Sequence, residues 1–285
     1  MNIKEKLKHL LINKIYPFRY YTNVYKRFSF YQIDSKLLFL SFDCDKDTDI
    51  HSLNKVLEIL DKFNVKANFA IPACYIENNK DLVLKIIQDG HEIINHTFSH
   101  PDNFVNLNLE TQKEEIQKSD IEFKTRLGYT IKGFRAPHFG WFYYKPDNLF
   151  ELLNFIKELG YCYSSTTVLS WFLNNYFTKN KDILIRKDFK EIPLSPNPLR
   201  PLEAFDSYYF FQKNRNSQFL DKKQKVLFFR LFQQLLETNV KYQTPINLYF
   251  DPQDVVKDNV LIEIIDLINF YKFKYCRYSD FCDSK

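Results

Sequence analysis

Long apolar runs and paired cysteines are both missing from this sequence of 285 residues. No stretch approaches the ~20 apolar residues that a membrane-spanning helix needs, so an integral helical membrane protein is not expected. The five cysteines are odd in number, scattered and without CxxC spacing, which argues against a disulfide framework and favours a reducing compartment. Because no convincing export signal is present either, we expect a location in the cytoplasm or at the cytoplasmic face of the inner membrane.

Charge and composition exclude further classes. The net charge is +5, and 45% of the residues are hydrophobic, as is ordinary for a soluble globular protein. No basic stripe with interleaved aromatic residues stands out, so we expect no nucleic-acid partner. The chain is long enough to bury a sizeable core. Its oligomeric state leaves no trace in the sequence.

The first 35 residues differ in pattern from the rest. We predict a basic amphipathic extension over residues 1–35 and a single globular domain over residues 36–285. The apolar residues of the extension are spaced as one stripe of a helix: Ile3, Leu7, Leu10, Leu11 and Ile15. This stripe would dock on the domain or on a partner, or would make a peripheral contact with a membrane surface.

From residue 36 onward, strand-type runs alternate with helical patterns. The strand-type runs are residues 37–42, 66–72, 91–95, 131–137, 161–165, 183–193 and 246–250, with a further edge strand at 273–278. The helical patterns are residues 51–63, 79–89, 107–128, 146–159, 218–238 and 258–271. Repeated alternation predicts an α/β fold with a parallel sheet, open or closed as a barrel, in which residues 194–215 form a long loop.

Polar residues gather where two of these strands end. Asp43 and Asp45 follow the first strand, and the histidines His96 and His100 follow the third. Carboxyl ends of parallel strands meet at one face, so we expect these four side chains to lie together. Two imidazoles and one carboxylate make an open site for a divalent metal, usually zinc, and the second carboxylate could take a proton from water. Cys44, between the two acids, is expected to point the opposite way.

Each part of this pattern also occurs without a metal. Histidines four residues apart are common on ordinary helices, and paired carboxylates at a strand end are often only solvated. The position of all four residues at one predicted face favours a metal-dependent hydrolase. Arg135 and Asp251 follow two other predicted strands and should reach the same face.

Three segments carry a resemblance to a known family. SFDCD at 41–45, HTFSH at 96–100 and GFRAPHFG at 133–140, in this order, resemble the pattern of the polysaccharide deacetylases, the NodB-homology group of carbohydrate esterase family 4. The likeness covers roughly residues 36–280. It implies a distorted (β/α)7 barrel and metal-dependent removal of N-acetyl groups from a glycan that contains amino sugars. Peptidoglycan and surface polysaccharides or their precursors are such glycans.

The resemblance also implies roles for individual residues. Asp43 matches the catalytic base, and Arg135 matches the residue that orients it. Asp45, His96 and His100 match the metal ligands, with zinc as the first expectation and cobalt or another divalent ion as alternatives. The usual family motif has two adjacent acids, whereas Cys44 separates them here, as in the Asp-x-Asp version of one branch of the family.

One departure from the family concerns the proton donor. The family usually has a histidine after the final barrel strand as the general acid, and Asp251 stands there in this chain. Either Asp251 or His138 would protonate the leaving amine, or the chain is an impaired homologue that keeps metal and glycan binding. Pro137, Trp141 and Tyr163 are predicted to contact the substrate.

A different hydrolase on the same scaffold is also compatible with these residues. Such an enzyme would open a cyclic imide, a ureide or another non-peptide amide instead of a sugar acetamide. A narrow, closed pocket would favour that reaction, whereas an open groove would favour a glycan.

Overall fold

The computed structural model describes residues 7, 10–29, 36–184, 186–214, 217 and 219–283. The strands in this part of the chain are β1 (Leu37–Asp43), β2 (Asn68–Ile71), β3 (Glu92–Asn95), β4 (Gly133–Phe134), β5 (Tyr163–Ser164), β6 (Lys190–Glu191), β7 (Pro196–Asn197), β8 (Arg200–Ala204), β9 (Ile246–Phe250) and β10 (Lys274–Tyr275).

The α-helices in this part of the chain are α1 (Pro17–Phe28), α2 (Asp47–Lys62), α3 (Ile76–Gln88), α4 (Leu109–Leu127), α5 (Pro146–Glu158), α6 (Asn175–Thr178), α7 (Tyr208–Phe211), α8 (Lys222–Tyr242), α9 (Pro252–Val255), α10 (Val260–Phe270) and α11 (Tyr278–Asp283). The six predicted helices are present, with each end within four residues of its predicted position, and five further α-helices were not predicted: α1, α6, α7, α9 and α11. Local interactions define both ends of α4. The Asn108 side chain accepts a hydrogen bond from the Thr111 amide at the start of α4, and Gly128 ends that helix with a left-handed φ of 63°.

Seven parallel strands form the distorted barrel. Their order is β9-β1-β2-β3-β4-β5-β6, with every neighbouring pair parallel. The two outer strands approach each other just beyond β6, where the Ser195 amide donates to the Asn247 carbonyl over 2.8 Å. The predicted α/β class and barrel are confirmed. β10 pairs with the start of β1 as an additional parallel strand.

Side chains of β1 alternate between the barrel interior and the helices outside. Leu38, Leu40 and Phe42 belong to the large core between strands and helices, and Cys44 is fully buried there. The residues of the smaller interior core are Phe39, Ala70, Ile94, Tyr163, Ile192 and Tyr278. Because Asp43 follows the alternation of Phe39 and Ser41, it lies on the interior side at the end of β1. Cys44 points the opposite way, as its place in the strand predicts.

Two predicted segments differ in detail. The predicted strand at residues 183–193 overlaps the end of a short 3₁₀ turn, Lys181–Leu184, and includes only two residues of strand, β6. Residues 194–215 are not a plain loop, since β7 and β8 pair antiparallel and α7 follows them. The sequence of this stretch does not indicate strands, because it contains Pro196, Pro198 and Pro201, and proline has no amide hydrogen to donate within a sheet.

The amino-terminal segment docks on the barrel through α1. Tyr21, Val24, Tyr25 and Phe28 are buried there, and α1 contacts α8 and β8. The predicted apolar stripe is not the docking face: Leu7, Leu10, Leu11 and Ile15 are 38–56% exposed, and Ile3 lies outside the described residues. Among the described residues, no helix is both long and apolar enough to cross a membrane.

Candidate active site

The site residues sit at the rim where neighbouring strands end. β1 ends at Asp43, while His96 and Arg135 are the first residues after β3 and β4. Since β1, β2, β3 and β4 are adjacent and parallel, their carboxyl ends bring these three side chains to one side of the barrel.

Asp45, His96 and His100 converge at this rim. One carboxylate oxygen of Asp45, Oδ1, lies 3.2 Å from Nε2 of His96 and 3.2 Å from Nε2 of His100. The two imidazole rings have centroids 4.9 Å apart. The side chains of His96 and His100 are 2% and 8% exposed, whereas that of Asp45 is 29% exposed. The cluster is therefore open on the Asp45 side, where a water molecule or substrate can approach.

Hydrogen bonding in this cluster fits a bound cation. Nδ1 of His96 lies 2.8 Å from the Arg135 carbonyl oxygen, which can only accept, so Nδ1 carries the proton. In a neutral ring, Nε2 is then an acceptor that faces another acceptor, the Asp45 carboxylate. Nε2 of His100 is buried and makes no hydrogen bond. Three acceptor atoms around one point, two from imidazoles and one from a carboxylate, suit a divalent metal ion such as zinc.

The pKa shifts of this cluster reflect the same excess of hydrogen-bond acceptors around one point. Burial by itself would raise the pKa of Asp45, but the adjacent His100 and His96 outweigh it and hold that pKa well below its usual value. Burial would lower the pKa of His100, yet the Asp45 carboxylate raises it. The cluster therefore favours positive charge beside Asp45.

A constrained loop, not a helix, carries the histidine pair. Thr97 and His100 both adopt left-handed backbone angles, with φ of 69° and 53°. The Thr97 amide donates to the Asn95 side chain over 2.8 Å, and the His100 amide donates to the Thr97 hydroxyl over 3.1 Å. These bonds hold the turn that directs both imidazoles toward Asp45.

Asp43 is held by a fully buried arginine. Arg135 donates from Nη1 to Asp43 over 2.5 Å and to the Ser41 hydroxyl over 2.9 Å. Its Nε donates to the Ser165 carbonyl over 3.0 Å, and its Nη2 donates to the Ser165 hydroxyl and the Tyr278 hydroxyl over 3.0 and 2.7 Å. Burial opposes the charge of Arg135, but Asp43 raises the pKa of the guanidinium above its usual range. The pair thus presents an oriented carboxylate next to the Asp45 cluster.

Tyr278 was not identified from the sequence. Its local pattern predicted only the end of an edge strand, and its contact with Arg135 spans 143 residues of chain. Asn247 and Ser165, which surround the same hydroxyl, also lacked a motif. No local signal in the sequence indicates these contacts, because they arise from the closure of the barrel.

Asp251 lies beside Asp43 at the rim. Phe42 of β1 pairs with Phe250 of β9, so Asp251 follows in the same register as Asp43 and faces the same side. Asp251 is 5% exposed, and its amide donates to the Ser207 hydroxyl over 2.9 Å.

His138 approaches the site from the loop after β4. Its ring centroid is 5.1 Å from that of His100, and its Nε2 is 3.5 Å from Oδ1 of Asp102. Its backbone is left-handed, with φ of 48°. The structure therefore brings both predicted proton donors, Asp251 and His138, to the same rim.

The three predicted substrate contacts differ in accessibility. Trp141 lies on the 3₁₀ turn Phe139–Tyr144 and is 64% exposed. Pro137 is buried. Tyr163 is fully buried inside the barrel, and its hydroxyl donates to Glu92 over 2.9 Å. Because Tyr163 points inward from β5, it is a core residue in this structure and not a surface on which a sugar can stack.

Comparison with known proteins identifies the fold family. Residues 31–161 match the model of the polysaccharide deacetylase family. A peptidoglycan-N-acetylglucosamine deacetylase of Bacillus cereus is 33% identical over 94 residues, which are 33% of this chain and 34% of that protein. The peptidoglycan-N-acetylmuramic acid deacetylase PdaA of Bacillus subtilis is 26% identical over 152 residues, covering 49% of this chain and 51% of that protein. The matches thus span about a third to a half of these relatives.

Solved structures share the fold over more of the chain. A Mycobacterium smegmatis protein described as a polysaccharide deacetylase aligns with a TM-score of 0.64 at 17% identity, covering 89% of this chain and 91% of that chain. The chitin deacetylase of the fungal pathogen Colletotrichum lindemuthianum aligns with a TM-score of 0.52 at 16% identity, covering 88% of each. At this identity the likeness concerns the fold. Together with the sequence match over residues 31–161, it supports a protein of the polysaccharide deacetylase family, the NodB-homology group of carbohydrate esterase family 4.

Proposed function

We propose that this protein is a metal-dependent hydrolase that removes N-acetyl groups from a glycan containing amino sugars. The observation that carries the proposal is the convergence of Asp45, His96 and His100 next to the buried pair of Asp43 and Arg135. The glycan class is supported by relatives that are named as deacetylases of peptidoglycan sugars. Peptidoglycan and surface polysaccharides or their precursors are the substrates to test first.

Each site residue has a defined task in this reaction. Asp45, His96 and His100 would hold the cation, zinc or another divalent ion, which supplies Lewis acidity at the acetamide carbonyl. Asp43 accepts the proton of the attacking water. Arg135 keeps the Asp43 carboxylate in place through the 2.5 Å hydrogen bond and balances its charge.

The leaving amine needs a proton as the amide C–N bond breaks. Asp251 and His138 are the two candidates for this donor, supported by the register of Asp251 with Asp43 and by the contact of His138 with His100. Either can deliver that proton to the sugar nitrogen while acetate departs.

Acetate release is the direct test. Purified protein loaded with zinc or cobalt is incubated with N-acetylglucosamine oligomers, peptidoglycan fragments, and cyclic imides and ureides. We expect acetate from at least one glycan, loss of release after chelation, and recovery when the metal is restored. Ring opening of an imide or ureide without acetate would favour the rival hydrolase. Intact metal loading and glycan binding without any turnover would instead indicate an impaired homologue.

We further propose that the amino-terminal segment makes a peripheral contact with an anionic membrane surface. Residues 1–35 hold seven lysines and arginines and two acidic residues, a net charge of +5 that equals that of the whole chain. On the described part of this segment the exposed apolar side chains are Leu7, Leu10, Leu11, Ile15, Tyr16 and Phe18. Apolar side chains flanked by positive charge suit a surface of anionic lipid, at the cytoplasmic face of a membrane.

Vesicle sedimentation tests this contact. We expect the full chain to sediment with vesicles containing phosphatidylglycerol but not with pure phosphatidylcholine vesicles. The double variant Leu11→Asp/Ile15→Asp should lose most of this binding, whereas Ile121→Asp, at an exposed position on α4, should keep it. Equal sedimentation of all three proteins, or none with anionic vesicles, would contradict the proposal.

A further inference from the structure

We propose that Tyr278 is a positioning residue for the reaction, acting through Arg135 on the base Asp43. This inference rests on the proposed deacetylase function. It assigns a task to the carboxyl-terminal helix α11, to which neither the motifs nor the comparisons give one.

The fold delivers Tyr278 into the barrel from the end opposite the site. β10 pairs with the first residues of β1, and the chain then turns inward, with the Tyr278 amide donating to the Asn68 side chain over 3.1 Å. The ring is fully buried. It stacks on Phe39, with centroids 5.1 Å apart, and packs against Tyr163 at 5.0 Å. Packing against both rings therefore holds the Tyr278 ring in this position.

The direction of the Tyr278 hydroxyl is also fixed. The two amide hydrogens of Asn247 go to the Ser165 hydroxyl and the Ile192 carbonyl, over 3.0 and 2.8 Å. The carbonyl oxygen of Asn247 therefore faces Tyr278, whose hydroxyl donates to it over 2.5 Å. The phenol oxygen is thus oriented to accept the 2.7 Å hydrogen bond from Nη2 of Arg135.

Arg135 has no spare donor. A guanidinium has five N–H groups. One lies on Nε and contacts the Ser165 carbonyl; two lie on Nη1 and contact Asp43 and Ser41; two lie on Nη2 and contact the Ser165 hydroxyl and Tyr278. Without the phenol oxygen, one N–H would be left unpaired at a fully buried site, which is costly. Rotation of the guanidinium relieves that cost, but it moves Nη1 away from Asp43.

The variant Tyr278→Phe isolates this effect, because it keeps the stacked ring and removes only the oxygen. We expect kcat for deacetylation of an N-acetylglucosamine oligomer to fall about 10- to 100-fold, with KM and cation content unchanged. Tyr20→Phe is the control, since it removes a phenol that donates to the Ser170 carbonyl at 3.1 Å outside the barrel. A purely structural role for Tyr278 would lower thermal stability but leave kcat per folded molecule within twofold of wild type, and that result would overturn the proposal.

A second readout does not depend on turnover. In ¹⁵N-labelled protein we expect the Nη hydrogens of Arg135 to give separate, slowly exchanging signals, because every one of them is bonded. In Tyr278→Phe these signals should merge or exchange faster, while Tyr20→Phe should match wild type. Unchanged signals in Tyr278→Phe would overturn the positioning role. If the wild type shows the ordered guanidinium but hydrolyses no substrate, the proposed function fails and the positioning geometry stands.

Discussion

Nδ1 of His96 donates to the carbonyl oxygen of Arg135 over 2.8 Å. This bond joins a proposed cation ligand to the residue that holds the proposed base. It fixes the imidazole ring, and it directs Nε2 toward Asp45. The loops after β3 and β4 therefore act as one unit, and a change at either should affect both the cation and the base.

Asp43→Asn should remove the proposed base and leave cation binding intact. The amide keeps the shape of the side chain but cannot accept the proton of water. We expect bound metal to stay at wild-type stoichiometry while kcat falls about 10²- to 10⁴-fold. Metal analysis and acetate release measure the two quantities. Asp81→Asn on α3 is the control, and an Asp43→Asn protein with wild-type kcat would rule out the assigned base.

The proton donor can be identified by comparing reaction rates on substrates with different leaving groups. Asp251→Asn and His138→Asn remove the two candidates one at a time. Loss of the donor should slow hydrolysis of a sugar acetamide about 10²-fold or more, but should scarcely affect an aryl acetate, whose leaving group needs no proton. Steady-state rates on both substrates make the comparison. If neither variant distinguishes the two substrates, the donor lies elsewhere.

Gly133→Ala tests the packing below the site. A β-carbon at position 133 would lie 2.0 Å from Cζ of Tyr163. The Tyr163 ring cannot yield easily, because its hydroxyl is bonded to Glu92 and its face packs on Tyr278. We expect the free energy of unfolding to fall by about 1–3 kcal/mol or more in urea titrations. Gly140→Ala, with open space around its position, should unfold like wild type. Equal stability of the two variants would contradict this packing.

Stability should decline in mild acid because of His91. Burial, with Lys66 nearby, lowers the pKa of His91 to about 4, and its Nδ1 accepts the Ala67 amide over 3.1 Å. In the unfolded chain a histidine titrates near 6.5. Above that pH both states are neutral; as the pH falls from about 6.5 to 4, only the unfolded state gains the proton and stability drops. The slope from this residue reaches about 1.4 kcal/mol per pH unit.

The variant His91→Gln isolates that contribution. Its stability should depend less on pH than that of wild type between about 4 and 6.5, as measured by urea unfolding at several pH values. His51→Gln, at an exposed position on α2, should keep the wild-type slope. Parallel slopes for wild type and His91→Gln would show that His91 is not held neutral in the fold.

Much of the architecture could be predicted because apolar residues recur about every 2 positions in a half-buried strand and every 3.6 positions in an amphipathic helix. β1 and β9 appear where their apolar runs predicted them, and the rim position of Asp43, Asp45 and His96 follows from strand order. The strand predicted at residues 183–193 was too long, because its first apolar residues, Ile183 and Leu184, belong to a 3₁₀ turn and only β6 is extended. Contacts such as that of Tyr278 with Arg135 depend on closure of the whole barrel, which no local pattern encodes.

We propose that Asp45, His96 and His100 together hold one divalent cation. Zinc titration of metal-free protein, followed by calorimetry and confirmed by metal analysis after gel filtration, tests it most directly. We expect one tightly bound ion in wild type, and its loss in His96→Ala/His100→Ala and in Asp45→Ala, while His51→Ala binds zinc like wild type. Unchanged zinc stoichiometry and affinity in the variants without these ligands would show that these three residues do not form the cation site.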